Sequence, residues 1–350
     1  MALFLAIAGF FGLFIYGKGS ETKSELTPIR VAWQVAWVPQ GQFVQILKNT
    51  DILESNGLSG RFDKFTFGAP MVEAALAGQE DVIFVGSAPA LSITSKSSDW
   101  KIVSRMEDYR TAIIVPPDSD VRSIADLKHK TVNMPFGSIA YLLGSIEMQK
   151  TGFDLKKDVT LQHIDILEQT NIIQKGTSKS WGEAAAFIGW DPTIAQLEEQ
   201  GKARVLMVLP DTGVVVMSKK FYEAHPEAAK NFLKSLVQAY DFYYKNKQTA
   251  DDWYLADAGV NFSQRVMEAA GSLERNNNAE GIKNISLLME DGDIAKMQTE
   301  IDQAFSLGIK KKQTSASDIN ERSFVKDAEK EIDEGNFSKE VRVDLTYDEK

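Results

Sequence analysis

Two turns in this chain carry the residue types that grip an oxyanion. Gly86-Ser87-Ala88-Pro89 ends the apolar strand Val82–Val85 and opens an expected helix, and Gly137-Ser138 stands just before another, Ile139–Lys150. Free N–H groups at a helix start, helped by a serine hydroxyl, receive an anionic oxygen. The same serines serve equally as ordinary N-caps. Two such ends facing one another would suit a sulfonate, carboxylate or phosphate, with Tyr141 offering a further hydroxyl within the first turn. Arg110 adds a rigid fork of donors for an oxyanion, unless it is a solvated surface arginine. Trp33, Gln34, Trp37 and Gln40 gather at the end of the first expected strand, where aromatic walls and a few polar groups bind small solutes. Either tryptophan could instead be core. In Trp190-Asp191-Pro192, Asp191 caps the next helix or accepts a bond from an amine or ring N–H of a ligand.

Catalytic constellations are missing from the sequence. His129, His163 and His225 are scattered, without the spacing of a metal ligand set and without a nucleophile paired to any of them. There are no cysteines, which excludes disulfides, thiolate metal sites and cysteine nucleophiles. We therefore expect a binder, not an enzyme, with no cofactor and no metal.

The elements that must position these residues follow from length and pattern. At 350 residues, with 43% hydrophobic and 25% charged content, the chain suits two lobes of ordinary domain size. A formal charge of −10 argues against a nucleic-acid partner. Ala2–Tyr16 is an unbroken run of apolar residues and glycine, about 23 Å long as a helix and short of a hydrocarbon core of about 30 Å. It reads as an export signal or an uncleaved membrane anchor (1–17), followed by a polar tether (18–26).

Short apolar strands then alternate with helices. Expected strands cover Ile29–Ala36, Arg61–Phe67, Ile102–Met106 and Thr111–Val115 before a break at Pro116-Pro117. A second unit holds strands at Lys130–Asn133, Val159–Ile164 and Ala184–Ile188. Ala203–Leu209 and Val214–Met217 follow as two strands separated by a turn at Pro210-Asp211-Thr212-Gly213. This alternation predicts an α/β fold with largely parallel sheets. From Lys219 the pattern turns helical, with helices expected at Pro226–Tyr244, Trp253–Ala258, Gln264–Ser272, Ile282–Met289 and Ile294–Leu307. The stretch 324–350 reads as a charged, poorly packed tail.

Several of these stretches, in this order, resemble solute-binding proteins of ABC importers, in the group that handles nitrate, sulfonates, taurine, bicarbonate and thiamine-precursor pyrimidines. Gly68 to Gly78 with Asp81 and Val85-Gly86-Ser87-Ala88-Pro89 resembles the first-lobe signature. Ile124-Ala125-Asp126-Leu127-Lys128, Gly137-Ser138 with Ala140-Tyr141-Leu142, and Trp190-Asp191-Pro192 resemble second-lobe elements. Phe221 with His225-Pro226-Glu227-Ala228 resembles the return segment. The resemblance covers about Ile29 to Leu307. It implies a two-lobe, type II periplasmic-binding fold with two crossover hinge strands, lobe one being 27–118 plus 212–323 and lobe two 119–211. It also implies an extracytoplasmic monomer, which the apolar run at 1–17 would tether to the membrane. Such a protein would capture a small organic solute, sulfonate- or taurine-like or related, in the cleft and deliver it to a membrane permease and its ATPase. A pyrimidine-precursor protein or a membrane-tethered sensor of the same fold would use the same cleft. The pyrimidine-synthase branch carries a cysteine-rich motif that this chain lacks.

Overall fold

In the computed structural model, which describes residues 25–345 except 307 and 310, one eight-stranded mixed sheet runs through the molecule. The apolar N-terminal run and the first residues of the tether lie outside the described residues. On one side of the sheet stand β1 (Thr27–Gln34), α1 (Val38–Asn49), α2 (Ile52–Ser55), β2 (Leu58–Phe65) and α3 (Gly68–Leu76). They are followed by β3 (Val82–Val85), α4 (Ser87–Lys96) and the long strand β4 (Trp100–Val115). The other side is built from β5 (Thr131–Met134), α5 (Ile139–Lys150), β6 (Thr160–His163), α6 (Ile166–Lys175), β7 (Ala184–Trp190) and α7 (Thr193–Glu199). The chain returns along β8 (Arg204–Ser218). Helices α8 (Lys219–Ala224), α9 (Pro226–Lys245), α10 (Lys247–Ala258) and α11 (Gln264–Ala270) follow, and α12 (Asp291–Ser306), α13 (Ala316–Ile319) and α14 (Ser323–Glu334) close the chain.

The strand order is β2-β1-β3-β8-β4-β7-β5-β6. Strands β1, β2 and β3 pair in parallel, as do β5, β6 and β7, which is what right-handed βαβ crossovers produce. Strands β4 and β8 run antiparallel to each other and to their neighbours. Their continuity corrects the expectation of four short strands. Proline at position 210 is tolerated because β3 reaches only as far as Val214, leaving that flank of β8 an edge where a missing N–H costs little.

This arrangement makes a neck. Thr111–Ile114 already pair with β7, so β4 joins the second side before the break expected at Pro116-Pro117. Between the β3 pairing and the β7 pairing, the sheet is reduced to Glu107–Arg110 beside Pro210–Gly213. A register shift between Arg105 and Glu107 bends β4 just before the neck, as bulges do.

Apolar cores cover both faces. One buries Ala32, Met71, Ile83, Leu91, Ile139 and Ile188 beneath α3, α4 and α5. The other buries Val31, Trp33, Phe43, Phe84, Phe232 and Leu236 beneath α1 and α9. Each of the larger aliphatic and phenylalanine side chains contributes roughly 1.5–3 kcal/mol of burial. The charged stretch after 323 is not a loose tail. Val325, Ala328 and Ile332 of α14 are buried in the second core, and Lys234 of α9 binds Glu331 at 2.7 Å. Gly335 ends α14 in the left-handed conformation that favours glycine. The helix expected at Ile282–Met289 is only a short 3-10 turn over Ile282–Asn284, and α6 joins the elements as a helix that sequence pattern had not suggested. No helix among the described residues is long and apolar enough to cross a membrane.

Candidate functional site

The two sides of the sheet close over the neck. Trp37, at the turn after β1, packs against Tyr109 of β4 with ring centroids 4.3 Å apart, and the Trp190 indole N–H reaches back across to donate to Ala36 O at 3.2 Å. Gln34, Trp37, Tyr109 and Trp190 thereby wall a small cavity, completed by Gly68, Gly86 and Pro89 from one side and Ser138 and Ile139 from the other. Its volume is about 10 Å³. That admits one water at most, so an organic solute needs the two sides to part. Larger hollows of about 540 and 620 Å³ are open depressions on outer surfaces, far from these residues, and carry no converging aromatic groups.

The sequence candidates are distributed unevenly around this cavity. Trp33 is not on it: the ring is fully buried in the α1/α9 core beside Tyr254 and Gly41. β1 ends at Gln34 and the backbone turns before Trp37, so two tryptophans four apart reach opposite faces of the sheet. Gln40 is buried behind the wall; its amide, like that of Gln34, donates to Phe84 O, and its side-chain oxygen accepts the Gln34 N–H. Ala88 packs into the apolar core. Gly137 adopts φ +79°, and a Cβ there would come within 3.0 Å of Ala69 on α3, so this glycine lets the two sides touch.

Ser138 lines the cavity as the N-cap of α5. Its Oγ accepts from the Tyr141 N–H at 3.4 Å and donates to Pro135 O at 2.6 Å. The Tyr141 ring turns outward against Phe136, away from the cavity wall. Arg110 is no free anion fork. Its Nε and Nη2 bind both oxygens of Asp191 at 2.8 and 2.9 Å, while Nη1 binds Glu198 at 2.8 Å. Burial raises the Asp191 carboxyl above its ordinary value, against the pull of Arg110. Asp191 also accepts the Ala195 N–H of α7 at 3.0 Å, which is the capping role anticipated for it.

The decisive feature lies at α4. The N–H of Ser87 donates to Asp211 Oδ2 at 3.1 Å, and Tyr109 Oη donates to the same oxygen at 2.8 Å. Ser87 Oγ donates to Glu300 Oε2 at 3.0 Å. The helix end that looked open to an oxyanion thus holds a carboxylate of the protein itself, in line with the helix dipole. Burial pushes both acids up: Asp211 lies above its usual range, and Glu300 rises to about 8, with the neighbouring Asp211 charge adding to desolvation. Asp211 has the better set of donors, the Ser87 N–H and the Tyr109 hydroxyl, and Glu300 has only the Ser87 hydroxyl. Tyr109, for its part, is raised well above its ordinary value, first by burial and then by Asp211.

Alternation along the neck puts Glu107, Tyr109, Asp211 and Gly213 on one face of the ribbon. Gly213 is required there because a Cβ would lie 2.6 Å from the Trp37 ring. Glu107 is completely buried with the Trp37 indole N–H beside it, and by strict hydrogen-bond geometry neither group has a partner among the described residues. Burial, then the nearby Glu274, raises Glu107 well above its usual value. Sequence reading missed Glu107, Asp211 and Glu300. Only Glu300 left a signal: it sits between Met297, Ile301 and Ala304, on the apolar stripe of α12.

With the geometry in place, the chain can be compared with known proteins. Residues 64–176 match the family described as ABC transporter, phosphonate, periplasmic substrate-binding protein. The chain is 23% identical over 323 residues to a Bacillus subtilis (strain 168) protein provisionally named as an aliphatic sulfonates-binding protein, covering 89% of this chain and 88% of that one. It is also 23% identical to the taurine-binding periplasmic protein of Escherichia coli (strain K12), over 64% of this chain and 69% of that one. Among solved structures, the alkanesulfonate-binding protein SsuA from Xanthomonas axonopodis pv. citri, bound to MOPS, superposes with a TM-score of 0.69 at 19% identity, covering 85% of this chain and 99% of SsuA. The desulfurization enzyme DSZB shares the fold at a TM-score of 0.58 and 13% identity, covering 86% of this chain and 98% of the enzyme. Fold, matched family and sequence relatives agree with the motifs read from the chain: it has the periplasmic-binding fold and is similar in sequence to sulfonate- and taurine-binding periplasmic proteins.

Proposed function

We propose that this protein is the extracytoplasmic solute-binding component of an ABC importer, and that it captures a small organic solute, sulfonate- or taurine-like or related, in the cavity over the neck. The observation that carries this reading is the neck itself. Two sides joined by four residues of β4 and four of β8 meet over an aromatic-walled cavity too small for a solute until they part. Opening admits the solute, and contacts to both sides then stabilise the closed population. In this reading Gln34, Trp37 and Tyr109 supply one wall, and Ser138 and Trp190 the other. The closed protein is what a membrane permease and its ATPase receive, and residues 1–17 hold the protein at the membrane.

The role is capture without turnover, as the binding proteins among its relatives support; DSZB makes turnover the outcome to exclude. A thermal-shift screen against sulfonates, nitrate, bicarbonate, amino acids and pyrimidines tests the reading. A true ligand at ~100 times its Kd adds about 2.7 kcal/mol of stability. Recovery of that ligand unchanged after overnight incubation is expected. No shift with any class, or chemical conversion of the ligand, would overturn the proposal.

A further inference from the structure

Apart from the Trp37 indole N–H, which lies beside Glu107, the side-chain and helix-end donors around the cavity are already engaged. Ser87 N–H and Tyr109 Oη are spent on Asp211, Ser87 Oγ on Glu300, and Arg110 on Asp191 and Glu198. Trp190 Nε1 is spent on Ala36 O, and the side-chain amides of Gln34 and Gln40 on Phe84 O. On the ribbon face of Tyr109, which lines the cavity, the neck adds acceptors instead. Asp211 shares that face with Tyr109, and Glu107 lies two residues before Tyr109 on the same strand face, with both oxygens unpartnered. Gly86 keeps the approach clear: a Cβ there would stand 2.5 Å from Tyr109 Oη, 3.2 Å from Asp211 Oδ2 and 3.6 Å from Ile139 Cβ. The nearest counter-charge, Lys296 on α12, is exposed and donates to Pro210 O at 3.2 Å on the outer side.

Building on the solute-binding reading above, we infer that the solute carries a protonated amine and presents it to the neck, where the carboxyl groups of Asp211 and Glu107 receive it. A charge-assisted hydrogen bond to Asp211, with Glu107 accepting a second N–H, adds a donor to Glu107 oxygens that have no hydrogen-bond partner among the described residues. The solute's other end faces Ser138 and Trp190 and is not specified by this argument.

Calorimetry on the full-length chain in detergent micelles, with three probes sharing one carbon skeleton, tests the inference: propylammonium, propanesulfonate and 3-aminopropanesulfonate. Both amine-bearing probes should bind at least about tenfold more tightly than propanesulfonate. Asp211→Asn and Glu107→Gln should each erase about tenfold of that preference while leaving the far-ultraviolet circular dichroism unchanged. The ranking on the wild-type protein stands as a test even if a variant fails to fold. Propanesulfonate binding as tightly as the amines, or tightening in Asp211→Asn, would overturn the inference and make Asp211 an internal competitor for the α4 end. A broader screen separates the two levels. A ligand without an amine defeats this inference and leaves the solute-binding reading intact; absence of any ligand defeats both.

Discussion

Helices α4 and α5 begin on opposite sides of one cavity, each at a glycine–serine turn, yet their ends are satisfied differently. Ser138 caps α5 from its own side chain, a local solution that leaves the helix neutral at its start. Ser87 does not cap α4; its backbone N–H takes a carboxylate delivered from β8, 124 residues further along the chain. The difference teaches that a glycine–serine turn before a helix specifies only that donors exist. What fills them is decided by tertiary structure, and here one end has become acidic and the other has not.

Four measurements would break or sharpen this contrast. The largest effect belongs to Asp211→Ala, which strands Ser87 N–H and Tyr109 Oη in a buried site and should cost about 2–4 kcal/mol in urea denaturation. Asp211→Asn keeps an acceptor in place and should cost much less. If Asp211→Ala proved neutral, the α4 end would not depend on its carboxylate.

Next comes pH. The Glu300 carboxyl is raised to about 8, by burial first and by Asp211 second, so its protonated form is favoured by folding. That stabilisation is fully present below the ordinary value of 4.5 and is lost as pH rises through about 8. Glu80, also raised to about 8 by burial and Asp63, acts in the same sense. Stability should therefore fall between these limits, and Glu300→Gln should flatten the fall without removing it. An unchanged slope in that variant would place the titration elsewhere.

Smaller again, Ser138→Ala should cost about 1 kcal/mol through loss of the α5 cap. Ser87→Ala should cost less, because Asp211 still holds the backbone N–H and only the bond to Glu300 disappears. Thermal unfolding of the two variants side by side checks the order; equal losses would mean the two ends are alike after all.

Much of the architecture was legible in the chain. Strand Val82–Val85 and the helix starts at Ser87 and Ser138 stand where apolar runs, glycines and serines place them, because those signals are local. Continuity of β4 and β8 was hidden, since Pro210-Asp211-Thr212-Gly213 has the composition of a turn and only an unpaired flank makes it a strand. Helix α14 was masked by its charge; Val325, Ala328 and Ile332 recur at helical spacing among acids and lysines. At the site, the fate of Trp33 and Trp37 turned on where β1 stops. Arg110 looked like a ligand group until its two carboxylate partners, 81 and 88 residues away, were in view. Pairings over such separations leave no periodicity to read.

The ribbon of β4 and β8 has a mechanical corollary. A two-stranded antiparallel strip coils more readily than a wide sheet, and the bulge beside Arg105 softens it further. Torsion about its long axis is then as accessible as bending, so the two flanks can unscrew from one another, sliding Trp190 sideways off Ala36 before any gap widens.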